Sequence, residues 1–224
     1  HSSYIEQEKV RTYLIRGGYS RVFRDYPYPR NLKVSQMLLF HKDWLAYPSA
    51  IIDLDTPNRS FVRQAAVYRE MGIKNHAFIL ALVNPELKGV NPFSPHLTFE
   101  QMGAIAIECR INPWYFFREV ARVPVQGSKD AVSLDANRGN IALFWCFFNH
   151  ITIILIQIRQ TGKSVSTDVL MTLLMNILCQ NTNINLLTKD DILRRSNIVR
   201  LKDIALELPR YLRQGTKADA NNGE

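Results

Sequence analysis

Cysteine is scarce in this sequence. Cys109, Cys146 and Cys179 are far apart and never in CxxC spacing. That excludes a disulfide framework and predicts free thiols in a reducing compartment. His1, His41, His76, His96 and His150 fall at no metal-ligand spacing, which argues against a structural zinc. There is no internal repeat and no low-complexity tract. Nor is there an uninterrupted run of the roughly 20 apolar residues that a membrane-spanning helix needs. Residues 141 to 158, "IALFWCFFNHITIILIQI", come nearest, but Asn149-His150 divides them. The half rich in Ala, Leu, Phe and Trp suits a buried helix, and the Ile-rich half suits a buried strand. With no signal peptide either, no membrane partner is expected. Acidic residues are in deficit, 20 against 28 Lys and Arg, for a formal charge of +8. Such a balance favours an anionic partner, nucleic acid before membrane.

What is present suffices for a real core. Hydrophobic residues make up 46% of 224, which excludes disorder for most of the chain. "HSS" at the start lacks methionine and resembles a tag remnant, and the polar "QGTKADANNGE" looks like a fragment boundary. Two regions are expected, 1–90 and 91–224. The first reads as mainly helical. "YIEQEKVRTYLIRGGY" keeps a helical rhythm to Gly17-Gly18, and "SQMLLFHKDWLAY" (35 to 47) is stopped by Pro48. "TPNRSFVRQAAVYREMGI" opens at Thr56-Pro57 and closes at Gly72. "NHAFILALVNPEL" predicts a short apolar helix, and the proline-rich "KGVNPFSPH" (88 to 96) predicts a connector. Thr98 with Gln101 fits a capping box opening a helix to about Arg110. The last third changes rhythm: a strand at 151–158, a helix from about Lys163 to Cys179, a strand at 183–188, and a helix from about Asp190 to Arg213. This βαβα order implies a parallel sheet with right-handed crossovers.

Between the first of these strands and its helix stands "IILIQIRQTGKSVST", residues 153 to 167. Gly162-Lys163-Ser164 is how a phosphate-binding loop ends, with backbone N–H groups and a helix N-terminus converging on an anion. Lysine then meets the β/γ-phosphates, and the serine hydroxyl helps hold Mg²⁺. The glycine expected five residues earlier is missing, since Gln157 stands there. By motif alone, the loop reads equally well as a turn with a capping serine and a solvated lysine. Arg159 tips the balance, because a guanidinium beside a phosphate cradle can neutralise charge in cis.

Arg159-Gln160-Thr161-Gly162-Lys163-Ser164 resembles the variant Walker A loop, R-Q-x-G-K-S/T, of tailed-phage terminase large subunits, the T4-like DNA-packaging ATPases. "INPWYFFREVARVP" (111 to 124) is similar to the N-P-x-Y-F-x-R stretch before their loop. "INLLTKDDILRRSNIVRLKDIALELPRYL" (184 to 212) resembles the strand and helix after it. The resemblance implies an α/β fold: a partial P-loop NTPase-type parallel sheet core preceded by a mainly helical N-terminal region. It also implies ATP and Mg²⁺ as cofactors. Lys163 would contact the β/γ-phosphates, Ser164 the Mg²⁺, and Gln160, Thr161 and Gly162 would form the cradle. Arg159 and Lys163 would be the catalytic pair. The family's adenine-contacting glutamine has no counterpart in "SLDANRGNIALF", leaving Asn137, Arg138 and Asn140 as candidates. The implied partners are double-stranded DNA, a portal protein, a small terminase subunit and further copies in a ring. The implied setting is the host cytoplasm, where a procapsid is filled.

A packaging motor also needs a Walker B strand ending in Asp-Glu and a nuclease domain, and neither follows Lys163. "SAIIDLD" (49 to 55) has the flavour of a Walker B but precedes the loop, so Asp53 and Asp55 read as loop residues. An N-terminal fragment is expected, able to bind nucleotide weakly and hardly to hydrolyse it. Arg194, Arg195, Arg200 and Lys202 give the last helix a basic side, either DNA-facing or simply solvated. Trp114, Tyr115, Phe116 and Phe117 read as core before base-stacking surface, and Glu108, Glu119 and Asp135 form no convincing acid/base pair. Two alternatives stay open: a helicase-type nucleic-acid-dependent ATPase, and a non-catalytic nucleic-acid-binding or assembly module with a vestigial loop.

Overall fold

In "TPNRSFVRQAAVYRE" the polar residues Asn58, Ser60 and Gln64 are buried among the apolar ones, and Ser60 ties the helix to a later segment. The structure is a computed structural model that describes residues 49–73, 76–125, 130–149, 151–156, 162–179, 184–185 and 187–214. The helices expected at 4–18 and 35–47 lie outside the described residues. The chain divides into two compact units, one of His1–Val90 with Asp135–Arg159 and one of Asn91–Leu134 with Gln160–Glu224.

In the first unit, β1 (Ile51–Ile52) pairs antiparallel with β2 (Ala81–Leu82) in the register Ile51↔Leu82 and Ile52↔Ala81. Helix α1 (Arg59–Glu70) buries Ser60, Phe61, Gln64, Ala65 and Tyr68, a single face at helical spacing. Tyr68 stacks on Phe78 at 6.1 Å. Gly72, at φ 78, ends the helix in the left-handed conformation, where the Ile73 N–H reaches back to the Tyr68 carbonyl. The Ser60 hydroxyl donates to Asn58 Oδ1 at 2.6 Å and accepts from the Ala136 N–H at 2.9 Å, anchoring the later segment to α1. That segment continues into α4 (Arg138–Phe148), which buries Ile141 and Phe144.

In the second unit, α2 (Phe99–Ile111) begins at the expected capping box. Thr98 Oγ1 accepts from the Gln101 N–H at 3.2 Å, and Gln101 Oε1 accepts from the Thr98 N–H at 3.0 Å. Asn112 closes α2 and opens the one-turn α3 (Pro113–Tyr115), which runs into a π-helical turn at Phe116–Val120. Trp114, Tyr115, Phe116 and Phe117 are all buried, so these aromatics are core. A short antiparallel pair follows, β3 (Arg122–Val123) with β4 (Val132–Ser133). Helix α5 (Lys163–Leu173) continues through a π-helical turn at Leu174–Leu178 and packs against α6 (Asp191–Leu206).

Four expectations are corrected. The helix expected at Thr56-Pro57 starts at Arg59, with Asn58 in the N-cap position. "NHAFILALVNPEL" is not a helix: a 3-10 turn at Phe78–Leu80 leads into β2 and a second 3-10 turn at Pro85–Leu87. Phe78 through Val83 are buried on every side, so no helical stripe exists, and Pro85 withholds the N–H a continuous helix requires. The helix expected to reach Arg213 ends at Leu206, because Pro209 disfavours helical backbone just before it. The parallel sheet is the largest difference. Among the described residues both sheets are two-stranded and antiparallel, and none of 151–156, 184–185 or 187–188 pairs. Ile154, Ile156 and Leu187 are 88%, 89% and 93% exposed, so segments with strand composition have no covering neighbour there. What the structure gives is a mixed helical protein with small antiparallel sheets. Among the described residues no helix is long and apolar enough to cross a membrane.

Candidate functional site

The start of α5 is built from three residues with different tasks. Gly162, at φ 75, is the N-cap in the left-handed conformation that L side chains rarely adopt, and it turns the chain into the helix. A Cβ built there would meet nothing within 4 Å, so the glycine answers a backbone requirement and not a steric one. Its carbonyl accepts from both the N–H and the hydroxyl of Ser166, each at 2.9 Å. Lys163 and Ser164 follow as the first helical residues, both exposed, and the first turn carries no acidic side chain. A helix start of this kind presents N–H groups and the positive end of the helix dipole to solvent. It can attract an anion, and Lys163 adds a full charge. Ser164 adds an exposed hydroxyl. Arg159, Gln160 and Thr161 lie outside the described residues.

One turn further along α5 stands a residue the sequence reading passed over. Asp168 is almost wholly buried, its side chain 3% exposed, and its carboxylate accepts from Arg200 Nε of α6. Arg200 Nη2 also donates to Asn197 Oδ1 at 2.8 Å. Burial pushes the Asp168 carboxyl above its ordinary value, and the guanidinium pulls it only partly back. An acid inside the apolar run "VSTDVLMTLL" was the signal available, since such a residue must find a partner when buried.

This pairing sorts the four basic candidates. Arg200 is turned to Asp168, and its side chain is 29% exposed. Arg194 and Arg195 remain outside, both paired with Asp191 at 2.9 and 3.5 Å, as surface ion pairs of little strength. Lys202 is exposed and shares a face with Arg195, seven residues away or two turns. Ile192, Val199 and Leu206, 82%, 57% and 61% exposed, lie along that same outer face.

The three adenine-contact candidates belong to the first unit. Asn137 and Asn140 form a capping box at α4: Asn137 Oδ1 accepts from the N–H groups of Gly139 and Asn140, and Asn140 Oδ1 accepts from the Asn137 N–H. Asn140 Nδ2 donates to the Asp135 carbonyl. Arg138 is exposed. The acidic pair of "SAIIDLD" is spent locally. Asp53 Oδ1 accepts from the Asp55 N–H at 3.0 Å, and the Asp55 carboxylate meets Lys88 at 2.7 Å, a contact that holds it below its usual range.

Buried polar groups also pair at the junction of α2 and α3 and in the π-helical turn that follows. Asn112 Nδ2 donates to Glu108 Oε1 at 2.6 Å, and Arg118 pairs with Glu119 at 2.8 Å in the core. Burial raises the Tyr115 and Cys109 pKa values, which favours the neutral form of both.

No protein-family model, no curated protein and no solved structure matches the chain.

Proposed function

We propose that the start of α5 is a nucleotide phosphate-binding loop, and that the chain is the ATPase-side part of a viral DNA-packaging motor of the large-terminase kind. One observation carries the reading. Gly162 takes the left-handed conformation at the N-cap and sets Lys163 and Ser164, both exposed, on a helix start without acidic residues. Lys163 would meet the β/γ-phosphates, Ser164 would help hold Mg²⁺, and Arg159 would sit beside the γ-phosphate. Bound MgATP supplies the free energy of phosphoryl transfer, which such a motor spends on moving duplex DNA. Arg194, Arg195 and Lys202 would meet DNA phosphates.

A second reading, a non-catalytic assembly module with a vestigial loop, is favoured by the exposed Ile192, Val199 and Leu206 beside those basic residues. Hydrolysis separates the two. In the motor protein that carries this chain, Lys163→Ala should abolish ATP turnover in a protein that is still folded by circular dichroism, because Lys163 is an exposed side chain at a helix start. Wild-type turnover in that variant would refute the nucleotide assignment.

A further inference from the structure

The Asp168–Arg200 pair lies between the two surfaces that the proposed function uses. Asp168 stands four residues after Ser164, so the two side chains share a face of α5, one turn apart. Arg200 is two residues from Lys202 and five from Arg195, about 140° around α6 from the latter. The helix therefore turns its exposed cations to solvent and this one guanidinium to α5. Apolar contacts at Val169, Leu170, Leu173 and Ile204 are buried but non-directional, and allow small sliding of the helices. The ion pair does not. A carboxylate only 3% exposed cannot be left without its cation, and Arg200 is held in place by Asn197 on its own helix. A shift of α6 must then carry the first turns of α5 with it.

We infer that Asp168 and Arg200 form a strut coupling the two sites, so that duplex DNA bound on α6 changes the affinity of Gly162–Ser164 for MgATP. This rests on the nucleotide reading above. Asp168 and Arg200 act as positioning residues, and neither touches nucleotide or DNA. By linkage, the change must be reciprocal.

The test titrates the chain with ATP and Mg²⁺, with and without a short DNA duplex at low salt, and takes the ratio of the two dissociation constants. In the wild type the ratio should differ from unity by about fivefold or more, the lower end for coupled sites. The double variant Asp168→Asn with Arg200→Gln keeps hydrogen-bonding groups and removes both charges. Its ratio should approach unity, while affinity for ATP alone and for duplex alone stays within about twofold, a pattern that simple loosening of the fold would not give. Arg200→Lys keeps the charge but cannot bridge Asp168 and Asn197 together, so its ratio should be intermediate; it also serves if the double variant does not fold. A ratio of unity in the wild type, or an unchanged ratio in both variants, overturns the strut. No ATP binding by the wild-type chain removes the nucleotide reading, and the strut with it.

Discussion

Gly162 and Asp168 are the two residues of α5 whose environments make sharp demands. At Gly162 the demand is backbone alone, with open space where a Cβ would stand. Gly162→Ala should therefore cost about 1–2 kcal/mol, the strain of a left-handed L residue, in urea denaturation. Gly162→Asn should cost less, because asparagine tolerates that conformation. Equal losses for both would mean that a side chain there meets something. Asp168 makes an electrostatic demand. Its carboxyl titrates above the ordinary 3.8, chiefly through burial, so the folded chain holds that proton more tightly than the unfolded chain does. The resulting stabilisation is complete below the ordinary value and is lost as pH rises through the folded one. The stability of wild type relative to Asp168→Asn should thus fall with rising pH across the mildly acidic range and then level off. Arg200→Gln leaves the buried carboxylate without a counterion. It should extend that fall to higher pH and destabilise the neutral protein by about 3–5 kcal/mol. A flat difference curve would remove the burial argument. Arg159 offers a third test at this scale. If the chain is part of the proposed motor, Arg159→Lys in that motor should lower kcat far more than it weakens ATP binding, because lysine keeps the charge and loses the planar fork. Parallel losses would make it a clamp on the loop instead.

Elements were legible in the sequence where their cause is local. The capping box at Thr98 and Gln101 is such a case: both partners lie within one turn, so the pattern alone marks the helix start. Thr98→Ala should cost about 1 kcal/mol, read from a melt or a urea titration. The start of α5 at Lys163 and the glycine stop of α1 at Gly72 were legible for the same reason. Illegible were features whose cause lies elsewhere in the chain. A strand exists only through its neighbours, so the composition of 151–156 could not say whether any would be there. "NHAFILALV" is apolar without period, which leaves helix, strand and turn undecided until burial chooses. Arg200 reads as one more surface cation until the fold brings it to Asp168, 32 residues back along the chain. The candidate loop was half legible. Its glycine, lysine and serine stand at a helix start as the motif requires, and the residues before them lie outside the described part.

At the scale of the whole molecule, the +8 charge and the loop at α5 point the same way, toward polyanionic ligands. If Arg194, Arg195 and Lys202 each meet one DNA phosphate, the log–log dependence of duplex affinity on salt should have a slope of about −2.7, at about −0.9 per phosphate. A slope near zero would assign the outer face of α6, with Ile192, Val199 and Leu206 among its basic residues, to a protein partner. The central claim, however, is the phosphate-binding loop, and calorimetric titration of the chain with MgATP tests it most directly. Wild type should bind, and Lys163→Ala, equally folded by circular dichroism, should bind at least about tenfold more weakly, since a charge-assisted contact is worth roughly 1.5–3 kcal/mol. Equal affinity in the two proteins, or no heat of binding in the wild type, would contradict the account.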